Sequence, residues 1–164
     1  MMKTQLTVLF LLVSLFCYSQ NGGKTVDETF QILNQNENSN YFEVTKEMFE
    51  MLSESKEASP EFRDYISKLS KLKLIEAGGE NHIELRKEFY KTFLQQANLK
   101  DYSRLMSKKE GNGQLSFYKK EGKSENEFLL VSTDMIIYIT GTIDLKSISE
   151  FEQIMEVAGS AFDM

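Results

Sequence analysis

One cysteine, one histidine and one proline occur in the 164 residues, and each scarcity removes chemistry. Cys17 lies in a segment expected to be cleaved, so the mature chain is expected to carry no thiol. Disulfides, a cysteine nucleophile and cysteine-based zinc or iron–sulfur sites are excluded together. The lone histidine, His82, cannot form a two-histidine zinc site within one chain. No Gly-x-Gly-x-x-Gly motif or phosphate loop is present, because Gly78-Gly79 and Gly111-Asn112-Gly113 lack the lysine and helix context that phosphate needs. No loop has the spaced Asp/Asn series with Gly and Glu of a dedicated calcium site. Clustered positive charge is missing too. Lys68, Lys71, Lys73, Arg86 and Lys87 are interspersed with acids, and the formal charge is −6, so nucleic acid is an unsuitable partner.

The N-terminus is organised for export. Lys3 precedes an apolar run from Leu6 to Phe16, and Cys17 and Ser19 place small residues at the −3 and −1 positions of a cleavage site. Residues 1–19 therefore read as a secretory signal peptide, and its removal takes Lys3 and leaves a still more acidic chain. The alternative is lipid anchoring at Cys17, against which stands the large Phe16 where a lipidation signal wants a small residue. Residues 20–24 read as a flexible leader, 25–158 as a single α+β domain, and 159–164 as a frayed tail. The composition, 41% hydrophobic and 12% aromatic, is that of an ordinary globular protein.

Glu127 to Leu145 is the most apolar and most β-prone stretch beyond the leader. A membrane-spanning helix needs about 20 predominantly apolar residues, and this stretch is broken by Ser132, Thr133, Asp134, Thr140, Gly141 and Asp144. Instead, Phe128 to Val131 and Met135 to Tyr138 form runs suited to strands buried on both faces. A turn at Ser132 to Asp134 makes them an antiparallel hairpin. Upstream, Thr25-Val26-Asp27-Glu28 fits a capping box for a helix carrying Phe30 and Leu33. Tyr41 to Val44 is a brief strand, and Thr45 is placed to cap a helix bearing Met48, Phe49 and Leu52. Ser59-Pro60 starts another helix, with serine as N-cap and proline at the first helical position. Leu72 to Ala77 alternates as a strand ended by Gly78-Gly79, and Asn81 then caps a long helix to about Asn98. Tyr102 to Lys108 and Gln114 to Lys120 pair around an Asn-Gly turn. Ser147 to Glu150 opens a final helix. Consecutive strands after a helix predict an α+β fold, a largely antiparallel sheet of about five strands with helices packed on one face.

Several segments carry a family likeness. Val44-Thr45-Lys46-Glu47-Met48 enters a helix, and Leu72-Lys73-Leu74-Ile75 is a strand. Tyr102-Ser103-Arg104-Leu105-Met106, Leu115-Ser116-Phe117-Tyr118 and Ile139-Thr140-Gly141-Thr142-Ile143-Asp144-Leu145 complete the set. Together they resemble the secreted, mainly Bacteroidota family catalogued as domain of unknown function 4252, over about Thr25 to Val157. The resemblance implies export and an α+β domain but supplies no catalytic residue, and some relatives resemble lipoproteins.

The residues themselves nominate no catalytic, cofactor-binding or metal-binding side chain. His82, beside the Asn81 cap, reads as an exposed first-turn residue rather than a general base. Asp134 and Asp144 read as turn formers. Met48, Phe49, Met51 and Leu52 read as a core or interface face, with an adaptable partner groove as the alternative. Two carboxylates suffice for glycoside hydrolysis, but 25 acids supply pairs by chance. The leading expectation is a non-enzymatic exported module that binds an unknown envelope protein or ligand without a cofactor. A hydrolase or small-ligand binder using carboxylate and Tyr side chains in a sheet-lined pocket is the alternative. An accessory role in envelope-stress signalling, implied by the resemblance alone, is the third. A pocket with convergent Asp, Glu or Tyr side chains would favour the second, and a flat apolar patch the first.

Overall fold

The computed structural model describes residues 23–54, 59–78, 83–111 and 113–145. The expected signal peptide, His82, the helix after Ser147 and the tail lie outside them.

Helix α1 (Val26–Asn34) begins with the expected capping box. The Glu28 carboxylate accepts the Thr25 backbone N–H at 2.8 Å, and the Thr25 hydroxyl accepts the Glu28 N–H at 3.2 Å. Strand β1 (Ser39–Thr45) leads directly into α2 (Lys46–Ser53), where Thr45 takes the N-cap position without a side-chain cap bond. Helix α3 (Pro60–Ile66) starts with the Ser59 hydroxyl accepting the Phe62 N–H at 3.2 Å. After β2 (Leu69–Ala77) and α4 (Ile83–Gln96) come β3 (Ser103–Glu110), β4 (Gly113–Lys120), β5 (Asn126–Ser132) and β6 (Met135–Gly141).

The strands form one open sheet of order β1-β2-β6-β5-β4-β3, with antiparallel neighbours throughout. β5 and β6 are the expected core hairpin, with Phe128 opposite Ile139 and Leu130 opposite Ile137. Ser132 closes its turn by accepting the Met135 N–H at 2.9 Å. β3 and β4 form the amphipathic hairpin beside it, and Gly111, at φ 56°, supplies the left-handed residue of the connection. The return of β6 to pair with β2 leaves β1 and β3 as the sheet edges.

The α+β class and the antiparallel sheet are as expected, and the six strands among the described residues are close to the expected five, but the helices pack on both faces, not one. On one face Val44, Leu72, Phe117, Phe128, Ile137 and Ile139 pack with Phe49 of α2 and Ile66 of α3. On the other, Ile75, Leu129, Val131, Ile136 and Tyr138 pack with Val26, Phe30 and Leu33 of α1 and Phe89 and Phe93 of α4. The reason is in the central strands. A strand apolar at every position exposes hydrocarbon on one side unless both are covered.

Phe30 is the hub of the α1/α4 face. Its ring is edge-on to Phe93 at 6.1 Å and to Tyr41 at 6.5 Å, and lies 6.2 Å from Tyr138. Such aromatic pairs hold α1 against the sheet with more directional preference than aliphatic packing gives. The start of α1 is fixed as well, because Lys24 accepts the Asn98 N–H at 2.7 Å and donates its own N–H to Gln96 at 2.8 Å. These bonds bring the first turn of α1 beside the α4–β3 connection, over one end of the sheet.

Candidate functional site

The strand register lays polar side chains in rows across the α1/α4 face. Lys120 of β4 stands opposite Glu127 of β5, which stands opposite Thr140 of β6, itself opposite Lys71 of β2. In the adjacent row, Tyr138 of β6 faces Lys73 of β2, and Lys73 faces Glu43 of β1. Opposite charges on facing positions attract. The α1 and α4 layer partly covers the rows, and the most deeply covered charge, the Lys73 ammonium, must find its partners within the protein.

Asp27 on the first turn of α1 serves the β2 side. Its carboxylate binds Lys73 at 2.5 Å and Lys71 at 3.5 Å, and Glu43 lies 3.7 Å from the same Lys73 ammonium. The Lys73 side chain is only 8% exposed, and an ammonium that dry needs its two carboxylates. Tyr41 completes this arm by donating its hydroxyl to Glu43 at 2.5 Å. Burial works to raise the Asp27 carboxyl, but the bond and charge of Lys73, with Lys71 behind it, prevail and hold it below its ordinary value.

Glu127 organises the other arm. One carboxylate oxygen accepts the hydroxyls of Tyr102 and, at 2.8 Å, Tyr138; the other accepts the Lys120 ammonium at 2.7 Å. Lys120 also lies over the Tyr102 ring, 5.5 Å from its centre. Burial would raise Glu127, yet Lys120 and the two tyrosines outweigh it and keep the carboxyl low. Burial first, and then the Glu127 carboxylate, push both Tyr102 and Tyr138 upward. At neutral pH this arm is therefore a carboxylate receiving two protonated phenols and an ammonium.

Between the arms lies a cavity of about 310 Å³. Asp27 and Thr25 of the α1 entry form one wall, Asn98, Asp101 and Tyr102 of the α4–β3 connection another, and Lys120, Glu127 and Tyr138 the sheet floor. A second hollow, about 380 Å³, opens at the far end of β4 and β5 between Lys87, Lys91, Leu94 and Gln114. It is larger, but its walls are mostly carbon and the Lys87 ammonium is held by Glu84 at 3.2 Å. The smaller cavity is the one where ionisable groups converge.

The residues weighed from sequence stand elsewhere. Asp134 is in the β5–β6 turn, as expected, and also pairs with Arg86 of α4 at 3.0 Å. Asp144 follows β6 and pairs with Lys119 at 2.8 Å. Phe49 is buried and Leu52 half-buried, whereas Met48 and Met51 are exposed. No group of three or more His, Cys, Asp or Glu gathers to hold a metal among the described residues. None of their helices is long and apolar enough to cross a membrane.

Sequence reading nominated none of Asp27, Lys73, Tyr102, Lys120, Glu127 or Tyr138. One signal was present. The Ser132–Asp134 turn fixes a register that sets Glu127 beside Thr140 and one step from Tyr138. The family model described as Domain of unknown function (DUF4252) matches residues 30–151, a span containing all of the cavity's polar groups except Thr25 and Asp27. No curated protein and no solved structure matches the chain.

Proposed function

The chain belongs to the family described as Domain of unknown function (DUF4252), a description that fixes no chemistry, and we propose that it is an exported binding module. Its ligand is a small molecule seated in the cavity between α1, the α4–β3 connection and the sheet. The observation that carries this reading is the convergence of Asp27, Asp101, Tyr102, Lys120, Glu127 and Tyr138 on one 310 Å³ cavity, near the lower end of the range typical of small-molecule sites. Export rests on Lys3, the apolar run from Leu6 to Phe16 and the Cys17-Tyr18-Ser19 cleavage pattern.

Binding without covalent chemistry is favoured over hydrolysis by the state of the carboxylates. An acid–base pair needs two groups whose environments drive their pKa values apart. Asp27 and Glu127 are both held low, each by lysine partners that outweigh the effect of burial. The Thr25 hydroxyl is occupied in the capping box. These groups are fixed in place, which suits them to orienting a ligand.

Native mass spectrometry of the mature protein, incubated with a small-molecule extract of the cell envelope, tests the proposal. The expected result is an adduct of small-molecule mass that disappears in Asp101→Trp. Asp101 is exposed at the cavity wall, so the indole fills the cavity from outside. An adduct that survives this substitution places the site elsewhere and overturns the reading.

A further inference from the structure

Resting on that binding reading, we infer that the cavity takes an uncharged polyhydroxylated ligand of about one monosaccharide unit. Charge argues first. Asp27 is engaged by Lys71 and Lys73, and Glu127 by Lys120. An anionic ligand would meet these two carboxylates and Asp101 in the same walls, against the one lining ammonium, Lys120, whose charge is shared with Glu127. A cationic ligand would meet Lys120 in the floor, and the two inner carboxylates already hold ammonium groups. An ion of either sign thus meets like charge in a site partly removed from water, and Asp101, the lining carboxylate without an ammonium partner among the described residues, is exposed, where water screens its pull on a cation.

The remaining hydrogen-bonding capacity is mixed. Tyr102 and Tyr138 spend their protons on Glu127, and their oxygens keep lone pairs that can accept. Asp101 adds a carboxylate acceptor on the wall. Donors are available from Lys120, an ammonium with three hydrogens of which Glu127 takes one, and from the Asn98 amide, whose oxygen accepts the Lys100 N–H at 3.2 Å while its NH₂ has two hydrogens to give. A ligand facing donors and acceptors at several points must itself offer both, and a ring of hydroxyls does so at each position. Size agrees. The cavity, about 310 Å³, stands at the small end of the range for small-molecule sites, which suits a single sugar ring rather than a longer chain.

Saturation-transfer difference NMR on the mature protein provides the test, with D-glucose, D-galactose, D-mannose and N-acetyl-D-glucosamine as probes and inorganic phosphate and spermidine as competitors. The expected result is transfer from at least one sugar, lost in Asp101→Trp and unaffected by either competitor. Asp101→Asn, which replaces a charged acceptor by a neutral one, and Tyr102→Phe, which removes an acceptor, should each weaken that sugar's binding about three- to tenfold. Because Asp101 is exposed and makes no ion pair among the described residues, Asp101→Asn reports binding without loss of folding. Sugar signals that persist in Asp101→Trp overturn the inference. So does the absence of transfer from every sugar, or displacement by phosphate or spermidine. The binding reading itself is judged separately, because loss of the extract adduct in Asp101→Trp requires no knowledge of ligand class.

Discussion

Replacing Glu127 with glutamine should cost stability, and the structure sets the scale and the pH dependence. Glu127 accepts hydrogen bonds from Tyr102, Tyr138 and Lys120, and a hydrogen bond to a charged group is worth roughly 1.5–3 kcal/mol net. The Glu127 and Lys120 side chains are 23% and 34% exposed, so water screens the ion pair and its share falls toward the lower end. Glutamine keeps one acceptor oxygen. The expected loss is about 2 kcal/mol, which lowers Tm by about 6–10 °C for a domain of this size, followed by circular dichroism. The sign with pH follows from the depressed Glu127 carboxyl. Its contribution is complete above the ordinary glutamate value of about 4.3 and is lost as pH falls through the lower folded value. The gap between wild type and Glu127→Gln should therefore be full at neutral pH and narrow below about pH 4. Combined with Tyr138→Phe, the variant should show a coupling of about 1 kcal/mol. Additivity within about 0.5 kcal/mol, or a gap that ignores pH, would refute the network.

Further expectations concern the two cores. Phe30→Ala should lose about 3–5 kcal/mol, because the ring is fully buried and touches Tyr41, Phe93 and Tyr138; an unchanged urea midpoint would contradict its position as hub. Ile137→Asp should fail to fold, since it puts an unpaired charge at a 2% exposed site, and a native melting curve would refute the assignment of that face. Gly141→Ala should cost about 1–3 kcal/mol as an overpacked site, because an added Cβ would overlap the Lys68 carbonyl oxygen; equal stability would show that the β2–β6 junction yields. Intact mass of the mature protein should place its N-terminus near Gln20, and an acylated Cys17 would replace soluble export with anchoring.

The fold was more legible than the site. The capping box at Thr25, the Ser59-Pro60 start and the β5–β6 hairpin all follow from local chemistry, and the structure has each of them. The layering was misjudged although its signal was visible. Phe128 to Val131 and Met135 to Tyr138 are apolar at every position, and strands of that kind call for cover on both faces. The same point explains why the site was hidden. Lys73 between Leu72 and Leu74 reads as an outward charge on a half-buried strand, but once α1 covers that face the ammonium is buried and must be matched by Asp27 and Glu43. Tyr102 and Asp27 reach the same cavity through the packing of Phe30 and the bonds that tie Lys24 to the end of α4. No local pattern encodes that meeting.

Backbone amide shifts, mapped while the envelope small-molecule extract is added, decide whether the cavity at the start of α1 is where this domain binds its ligand. The shifts should gather at Asp27, Tyr102, Lys120, Glu127 and Tyr138. Shifts gathered instead around Lys87, Lys91 and Gln114 at the other end of the sheet would contradict it.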